Sequence, residues 1–479
     1  MQTPFPFEPF LAFGTMAVCL LLGIFLRAKV KFFQNFFIPS CIIGGFLGML
    51  VLNFKIQFII DLLPLEWRMS LGIANKTISI LPFEGQTFEA FVYHFFIISF
   101  ISIGLTYNKD NDGQKDKTKS MFKGAAWMAM IEGVTISLQA IVGCLFVMLF
   151  GLFGVKLFKT FGLFLPLGFT EGPGQALSFG QVWETQFGFQ NASTIGLTFA
   201  AIGFLVAFFV GIPLIRWGVK KGLPVVKTTL LPQDLLTGII SKDQQKEKAG
   251  ELTTHSGNVE TLALHMALIG LVYIMTYMVT WGLVKITSPN IAKSLFGFFF
   301  FFGLINAIIV RIILNKLGIR HIIDPGIQRR ITGWAVDFLI IGTIMAIQLV
   351  VVWQYIVPIA SMSVAAAILT TWVILYLGKR IDTLNFERTM AIFGTCTGTV
   401  STGLLLLRVV DPEFRTPVAL EIGLMNVVVA PIIVASMILV NAPVWWNWGL
   451  WLVIGAHVAL LVVSLVLIKV LKMWGAPKY

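Results

Sequence analysis

The stretches Gly168-Phe-Thr-Glu-Gly-Pro-Gly-Gln175 and Gly394-Thr-Cys-Thr-Gly-Thr-Val-Ser-Thr-Gly403 are too rich in Gly, Thr and Ser to cross a bilayer as ordinary helix. The sequence around each of them is long and apolar. Irregular backbone at membrane depth is stable only where protein or a watery cavity satisfies its N–H and C=O groups. Paired interruptions at corresponding places in two halves are typical of the binding site of a secondary transporter. We therefore predict two re-entrant segments, near 160–184 and 386–410.

The composition indicates a polytopic membrane protein. The 479 residues are 57% hydrophobic and 12% charged, with a mean hydropathy of +0.87, and that charge is about half of what a soluble chain carries. The net charge of +12 does not predict a nucleic-acid partner, because the basic residues lie in the gaps between apolar runs. The four cysteines stand singly, and neither a metal site, a phosphate-binding loop nor a catalytic cluster is legible, so no metal, cofactor or enzyme activity is predicted.

Eleven apolar runs are long enough to cross a bilayer, which takes about 20 residues. They lie near residues 9–28, 37–54, 88–106, 124–150, 192–215, 260–284, 290–312, 333–355, 358–378, 416–440 and 447–471. We expect an all-α polytopic membrane protein with these transmembrane helices. Its predicted parts are a first repeat (1–217), a cytoplasmic linker (218–258), a second repeat (259–442) and an extra C-terminal transmembrane helix with a basic tail (443–479).

The basic residues predict how the chain is oriented. With the N-terminus outside, 26 of the 35 Lys and Arg residues fall in inside loops and seven fall in outside loops. Because Lys and Arg are enriched in cytoplasmic loops, we predict that the N-terminus lies outside and the C-terminus inside.

This orientation inverts one half relative to the other, because the first five spans start outside and the next five start inside. Short matches support the pairing: Ile195-Gly-Leu197 and Ile422-Gly-Leu424 follow the two interruptions, and Phe91-Val-Tyr-His-Phe-Phe-Ile97 matches Trp334-Ala-Val-Asp-Phe-Leu-Ile340. We predict two inverted five-helix repeats, each with a re-entrant hairpin, and a transport mechanism in which one half moves against the other.

The interruptions hold the candidate binding residues. Glycine lets the backbone turn and approach a ligand closely, freed carbonyls bind a dehydrated cation, and N–H groups at the start of a half-helix bind an anion. The alternative for such small residues is close helix packing. The predicted substrate-binding residues are Thr170, Glu171, Gly174, Gln175, Ser401, Thr402 and Arg408, and the predicted ion-binding residues are Gly172, Glu171, Thr397 and Thr399.

Two charged residues have several possible roles. Arg408 could grip a substrate carboxylate in bidentate fashion, pair with Glu171, or extend to the membrane interface. Glu171 could be a cation ligand, the partner of Arg408 or a protonation switch. In another span, Glu132 and Gln139 are seven residues apart and so share one helix face.

Several segments resemble the bacterial sodium/glutamate symporter family. They are Leu21-Leu-Gly-Ile-Phe-Leu-Arg27, Phe37-Ile-Pro-Ser40, Ile103-Gly-Leu105, Gln139 and Gly188-Phe-Gln-Asn-Ala-Ser193. The resemblance covers most of residues 5–440. It implies two inverted halves with re-entrant loops, a bacterial inner membrane, glutamate or a similar small carboxylate as substrate, and Na+ as the coupling ion. A homodimer is the expected assembly by default.

The chain departs from the family pattern in both interruptions. The first loop of the family is of the type Ser-Gly-Gly-His-Gly-Thr-Gly, where this chain has Thr170-Glu-Gly-Pro-Gly-Gln-Ala176. The second is of the type Gly-Ala-Thr-Pro-Thr, where this chain has Gly398-Thr-Val-Ser-Thr402, and Arg408 replaces an uncharged polar residue. The resemblance therefore implies the fold and the carrier role more strongly than it implies the substrate.

The same sequence leaves two alternative functions open. Glu171 and Arg408 suggest a proton-coupled carrier, or an exporter, of another small anionic metabolite. A channel is a further alternative, although the sequence has no evident selectivity ring.

Overall fold

The chain folds into helices throughout the part described by its computed structural model, which covers residues 5–53, 85–106, 115–226, 233–242, 248–412 and 414–478. Part of the predicted linker 218–258 lies outside these ranges. The helices are α1 (Glu8–Lys29), α2 (Lys31–Asn35), α3 (Ser40–Asn53), α4 (Gly85–Leu105), α5 (Lys115–Leu152), α6 (Pro173–Phe187), α7 (Ala192–Lys220), α8 (Gln233–Thr237), α9 (Thr261–Ile286), α10 (Pro289–Ala292), α11 (Phe299–Lys316), α12 (Pro325–Met345), α13 (Leu349–Gln354), α14 (Ile356–Gly378), α15 (Asn385–Cys396), α16 (Val400–Val410), α17 (Val418–Trp445) and α18 (Leu450–Val470).

Nine helices of the described residues are long and apolar enough to cross a membrane. They include α1, α4, α5, α7, α9, α14, α17 and α18, together with the segment 295–316 that contains α11. The prediction of an all-α polytopic membrane protein is confirmed. Three of the eleven predicted spans differ clearly in the structure: α3 has only 14 residues, α12 begins and ends earlier than predicted, and the span 290–312 is interrupted by a 3-10 turn (Leu295–Phe298).

The early start of α12 has a local cause. Asp324 caps the helix by accepting a hydrogen bond from the Ile327 N–H at 2.8 Å, and Pro325 occupies the first helical position. Both features favour a helix N-terminus. A count of apolar residues places the start near 333 because it passes over the polar turn that contains Arg329 and Arg330.

Each half of the chain repeats one order of elements. Three helices that pack together come first, then a long helix, then a broken hairpin, and then another long helix. In the first half, the broken hairpin is hairpin 1 (161–187), which lies between α5 and α7. In the second half it is hairpin 2 (385–410), which lies between α14 and α17. This order matches the predicted repeats, whose inversion in the membrane stays a prediction.

The helices pack as two bundles that do not coincide with the two halves. The α4 bundle consists of α1, α3, α4, α9, α11 and α12, with α4 and α12 packed along each other at its centre. The hairpin bundle consists of α5, α7, α14, α17, α18 and both hairpins. Each bundle therefore combines helices from both ends of the sequence.

The bundles meet mainly along one face of α6. Gly174 lies against the Phe96 ring of α4, and Phe179 makes an edge-to-face contact with Phe298, with ring centroids 5.1 Å apart. The Gln181 amide donates to Glu89 Oε2 at 3.1 Å. These contacts are largely aromatic, and the hydrogen bond between Gln181 and Glu89 joins α6 directly to α4.

Within the hairpin bundle, α5 and hairpin 1 are in backbone contact. A Cβ atom placed on Gly143 would lie 1.9 Å from the Gly162 carbonyl oxygen, and a Cβ on Gly162 would lie 2.1 Å from the Gly143 oxygen. A side chain at either position would collide with backbone, which cannot move aside cheaply. Two glycines therefore fix hairpin 1 against the membrane-spanning helix α5.

Candidate binding site at the hairpin tips

Hairpin 1 reverses direction at Gly172. The chain descends through a short 3-10 turn (Phe161–Leu163) and a π-helical turn (Pro166–Thr170), and it returns as α6 from Pro173. Gly172 has φ +86° and ψ −178°, a backbone region that is essentially open only to glycine. Glycine at the tip of hairpin 1 is therefore explained by the backbone geometry of the turn, and not only by the polarity of the stretch.

Hairpin 2 reverses direction at residues 397–399. α15 ends at Cys396, and α16 begins at Val400 after an extended Thr399. The Thr399 side chain accepts from the Thr402 N–H at 3.4 Å and lies 3.3 Å from the Thr402 hydroxyl. Thr399 thus caps α16, and the high Gly and Thr content of this tip is explained by a tight turn followed by a helix start.

The two tips touch. A Cβ on Gly172 would lie 2.8 Å from Thr399 Cγ2 and 3.1 Å from the Gly398 carbonyl oxygen. The Thr170 hydroxyl reaches the Cys396 carbonyl oxygen at 3.2 Å. The two interruptions that the sequence identifies are therefore in direct contact.

Gln139 of α5 links both tips. Its Oε1 accepts from the Thr170 hydroxyl at 2.8 Å, and its Nε2 donates to the Cys396 carbonyl at 3.3 Å and to the Thr370 hydroxyl at 3.0 Å. All four side chains are buried. A buried polar network of this kind stabilises one arrangement of its members strongly, because an unpaired group there is costly.

Glu171 and Gln175 form a second polar group at the tip of hairpin 1. The Gln175 Nε2 donates to Glu171 Oε2 at 2.5 Å. The remaining oxygens, Glu171 Oε1 and Gln175 Oε1, are buried and have no hydrogen-bond partner among the described residues. Such atoms are uncommon in native structures, and each calls for a ligand, a water or another explanation.

The structure distributes the predicted site residues in three ways. Thr170, Glu171, Gly172 and Gln175 lie at the tip of hairpin 1, and Thr397, Thr399, Ser401 and Thr402 lie at or next to the tip of hairpin 2. The Thr397 hydroxyl already donates to the Phe393 carbonyl at 2.7 Å, which leaves its oxygen as an acceptor. Gly174 faces Phe96 of the other bundle, so its position serves packing between bundles.

Arg408 lies away from the tips. It is exposed near the end of α16, and its guanidinium carbon is 5.0 Å from the centroid of the Phe414 ring. Seven residues of helix separate it from Ser401, which is roughly 10 Å along the axis. In the structure, Arg408 therefore neither contacts Glu171 nor lies at the hairpin tips.

Sequence reasoning left Gln139 and Cys396 out of the predicted site. Gln139 carried a usable signal, because it is a polar residue in an apolar span, on one face with Glu132 and in a position that resembles the family. Cys396 contributes its backbone carbonyl, which no residue-type pattern can reveal. Thr370 gave no signal, since threonine is common in apolar helices.

Another charged pair in this region is structural. Arg388 at the start of hairpin 2 donates to both carboxylate oxygens of Glu421 on α17, at 2.7 and 2.6 Å, and both side chains are buried. Arg388 also donates to the Thr383 carbonyl at 2.6 Å. Glu421 is therefore an ion-pair partner that fixes the base of hairpin 2.

Paired hairpins that meet inside a bundle of apolar helices are typical of secondary transporters. A comparison with known protein families matches residues 7–383 to the sodium/glutamate symporter family. The chain belongs to this family, which is a family of transporters. Searches of curated proteins and of solved structures find no match. The matched region contains hairpin 1 and Gln139, and it ends two residues before hairpin 2.

Proposed function

We propose that this protein is a sodium-coupled symporter of glutamate or a similar small carboxylate, working by alternating access. The observation that carries the proposal is the contact between the two hairpin tips beside Gln139. Two helices, α6 and α16, begin at these tips, and helix N-termini favour anions. α15 ends there, and the carbonyl end of a helix favours cations. The tips therefore suit a carboxylate and a cation together.

The packing suggests which parts move. Both tips belong to the hairpin bundle, which contacts the α4 bundle mainly through α6. We propose that the hairpin bundle shifts as a unit along α4 and α12 and carries the site from one membrane face to the other. This movement replaces the expectation that one sequence half moves against the other, because each bundle contains helices from both halves.

Further features of the proposal come from the sequence. We propose that the N-terminus lies outside and the C-terminus inside, because most basic residues then fall in the inside loops. We also propose that the membrane is the inner membrane of a bacterium, as the resemblance to a bacterial family implies. A homodimer is the proposed assembly, and the particle mass in lipid nanodiscs would check it.

Uptake into proteoliposomes tests the function. Purified protein is reconstituted, and accumulation of labelled glutamate is followed with an inward gradient of NaCl or of KCl at equal pH. We expect accumulation with NaCl and only equilibration with KCl. Equal uptake in both salts would remove sodium from the mechanism.

A proton-coupled carrier of another small anion is the second candidate. The pairing of Glu171 with Gln175 favours it, because a carboxyl group at the site could carry a proton. An inward proton gradient without sodium distinguishes the two candidates: the symporter proposed here does not respond to it, whereas the second candidate accumulates its substrate.

A further inference from the structure

Glu132 of α5 is a buried carboxylate that the hairpin-tip site does not yet account for. Glu132 is only 4% exposed, and its Oε2 atom has no hydrogen-bond partner among the described residues. It forms none of the ion pairs seen in the described part of the chain. Placing a carboxylate in such surroundings is costly unless a positive charge or hydrogen-bond donors compensate it.

Glu132 faces the tips. Thr135, three residues later and on the same face of α5, lies with its hydroxyl 3.1 Å from the Cys396 sulfur at the end of α15. Gln139, seven residues after Glu132 and on the same face of α5, contacts Thr170 of hairpin 1 and the Cys396 carbonyl of hairpin 2. Glu132 therefore lies on the face of α5 that packs against the hairpin tips.

The unpartnered polar atoms of Glu132 and of the tip of hairpin 1 are all oxygens. Glu132 Oε2, Glu171 Oε1 and Gln175 Oε1 are all buried oxygens, and Gln175 is 3% exposed with its amide held against Glu171. A proton on one carboxyl would pair at most two of these oxygens and would leave the third unpartnered. One hard cation can bind several oxygens at once. All of these donors are oxygen atoms, which suit a hard cation, and the proposed function identifies that cation as sodium.

We propose that Glu132, Glu171 and Gln175 form a sodium site between α5 and the tip of hairpin 1. The inference deepens the proposed function, on which it rests for the identity of the ion, and it adds Glu132 as an ion ligand. A sodium ion there ties hairpin 1 to α5, and it neutralises one of the two carboxylate charges, which weakens the repulsion of a carboxylate substrate at the tips. Sodium and substrate would then bind cooperatively.

Sodium binding to the purified full-length protein tests this site without transport. The thermal unfolding midpoint is measured in detergent across a series of NaCl concentrations, with choline chloride keeping the ionic strength constant. A ligand that binds only the folded state raises the midpoint as its concentration exceeds its Kd. We expect wild type to be stabilised by NaCl, and Glu132→Gln to need at least tenfold more NaCl for the same shift. Glu260→Gln, at an exposed position before α9, is the matched control and should behave as wild type.

The result that overturns the inference is an NaCl dependence of Glu132→Gln equal to that of wild type, or no effect of NaCl on wild type. If Glu132→Gln does not fold, Glu171→Gln provides the same comparison, because the site needs both carboxylates. Uptake measurements separate this inference from the proposed function. Sodium-driven uptake with an unchanged sodium dependence in Glu132→Gln would refute the site alone. A sodium shift that Glu132→Gln loses, without sodium-driven uptake in wild type, would refute the function alone.

Discussion

At the scale of single residues, the proposed site depends on backbone that only glycine can adopt. Gly172 has a positive φ at the tip of hairpin 1, and its Cα faces Thr399 and Gly398 of hairpin 2 with no room for a methyl group. Gly188, at the other end of α6, has a similar φ of +77°, but nothing lies within 4 Å of the position that a methyl group would take there. Substitutions at these two glycines therefore distinguish the effect of backbone strain from the effect of contact between the tips.

We expect Gly172→Ala to reduce the rate of sodium-driven uptake more than tenfold. An alanine in this backbone region costs about 1–3 kcal/mol, and its methyl group would also push the tips apart. Gly188→Ala introduces only the strain of a residue in the left-handed region, which costs about 1–2 kcal/mol. This variant should therefore be less stable but should keep most of its uptake activity. Uptake per folded protein in proteoliposomes is the measurement, and equal losses in both variants would mean that the tip contact has no role in transport.

The sequence predicted these tips well and their surroundings less well. Clusters of Gly and Thr within apolar sequence identify a break in a membrane helix, because few other structures tolerate them there. Arg408 was assigned to the site on charge alone, whereas its position near the end of α16 and over Phe414 depends on where the helix ends. Cys396 was left out because its contribution is a carbonyl group.

At the scale of elements, hairpin 2 is held at its base by a buried ion pair. Arg388 and Glu421 form two hydrogen bonds with each other, with 3% and 0% of their side-chain surfaces exposed. Removing one partner of such a pair leaves an uncompensated buried charge. The pair therefore fixes the base of hairpin 2 relative to α17, and in this way it helps to hold the tip at Thr399 in one position.

We expect Arg388→Met to lower the free energy of unfolding by about 3–5 kcal/mol. The comparison is Lys123→Met, which breaks the exposed ion pair of Lys123 with Asp382, with side chains 41% and 56% exposed, and which should cost about 1 kcal/mol or less. Reversible unfolding in detergent measures both. The double variant of Arg388→Met with Glu421→Gln should lose less than the sum of the single variants. If Arg388→Met were no less stable than Lys123→Met, the ion pair would not be the anchor.

Element boundaries were predicted where apolar length decides them. The ends of α7 and α18 are close to those expected, because their sequences are apolar almost throughout. The start of α12 was missed since a capping aspartate and a proline begin the helix in a polar turn. The expected span 290–312 is interrupted by a 3-10 turn (Leu295–Phe298), which the run of phenylalanines conceals.

At the scale of the whole molecule, the important division is between two bundles. The sequence predicted two halves from repeated patterns, but it could not predict the bundles, because those depend on contacts between distant segments such as α4 with α12 and α5 with α17. The bundles meet through α6, where Gln181 donates to Glu89. If transport requires the bundles to shift, a covalent link at this contact must stop it.

We expect a short thiol-specific cross-link in the double variant Glu89→Cys with Gln181→Cys to block uptake more than tenfold, and a reductant to restore it. The matched control is Lys123→Cys with Asp382→Cys, whose side chains lie within the hairpin bundle and 3.0 Å apart in the native pair; its cross-link should leave uptake intact. The four native cysteines are buried, and the single variants report any background. Unchanged uptake in the cross-linked Glu89–Gln181 variant would contradict the proposed movement.

The central claim is that substrate and sodium bind where the two hairpin tips meet. Electron cryo-microscopy of the protein in lipid nanodiscs, with NaCl and glutamate and with choline chloride alone, tests it most directly. We predict ligand density beside the two hairpin tips, next to Gln139, that is present only in the first sample. Ligand density elsewhere in the bundle, with the tips in contact and unchanged in both samples, would contradict the claim.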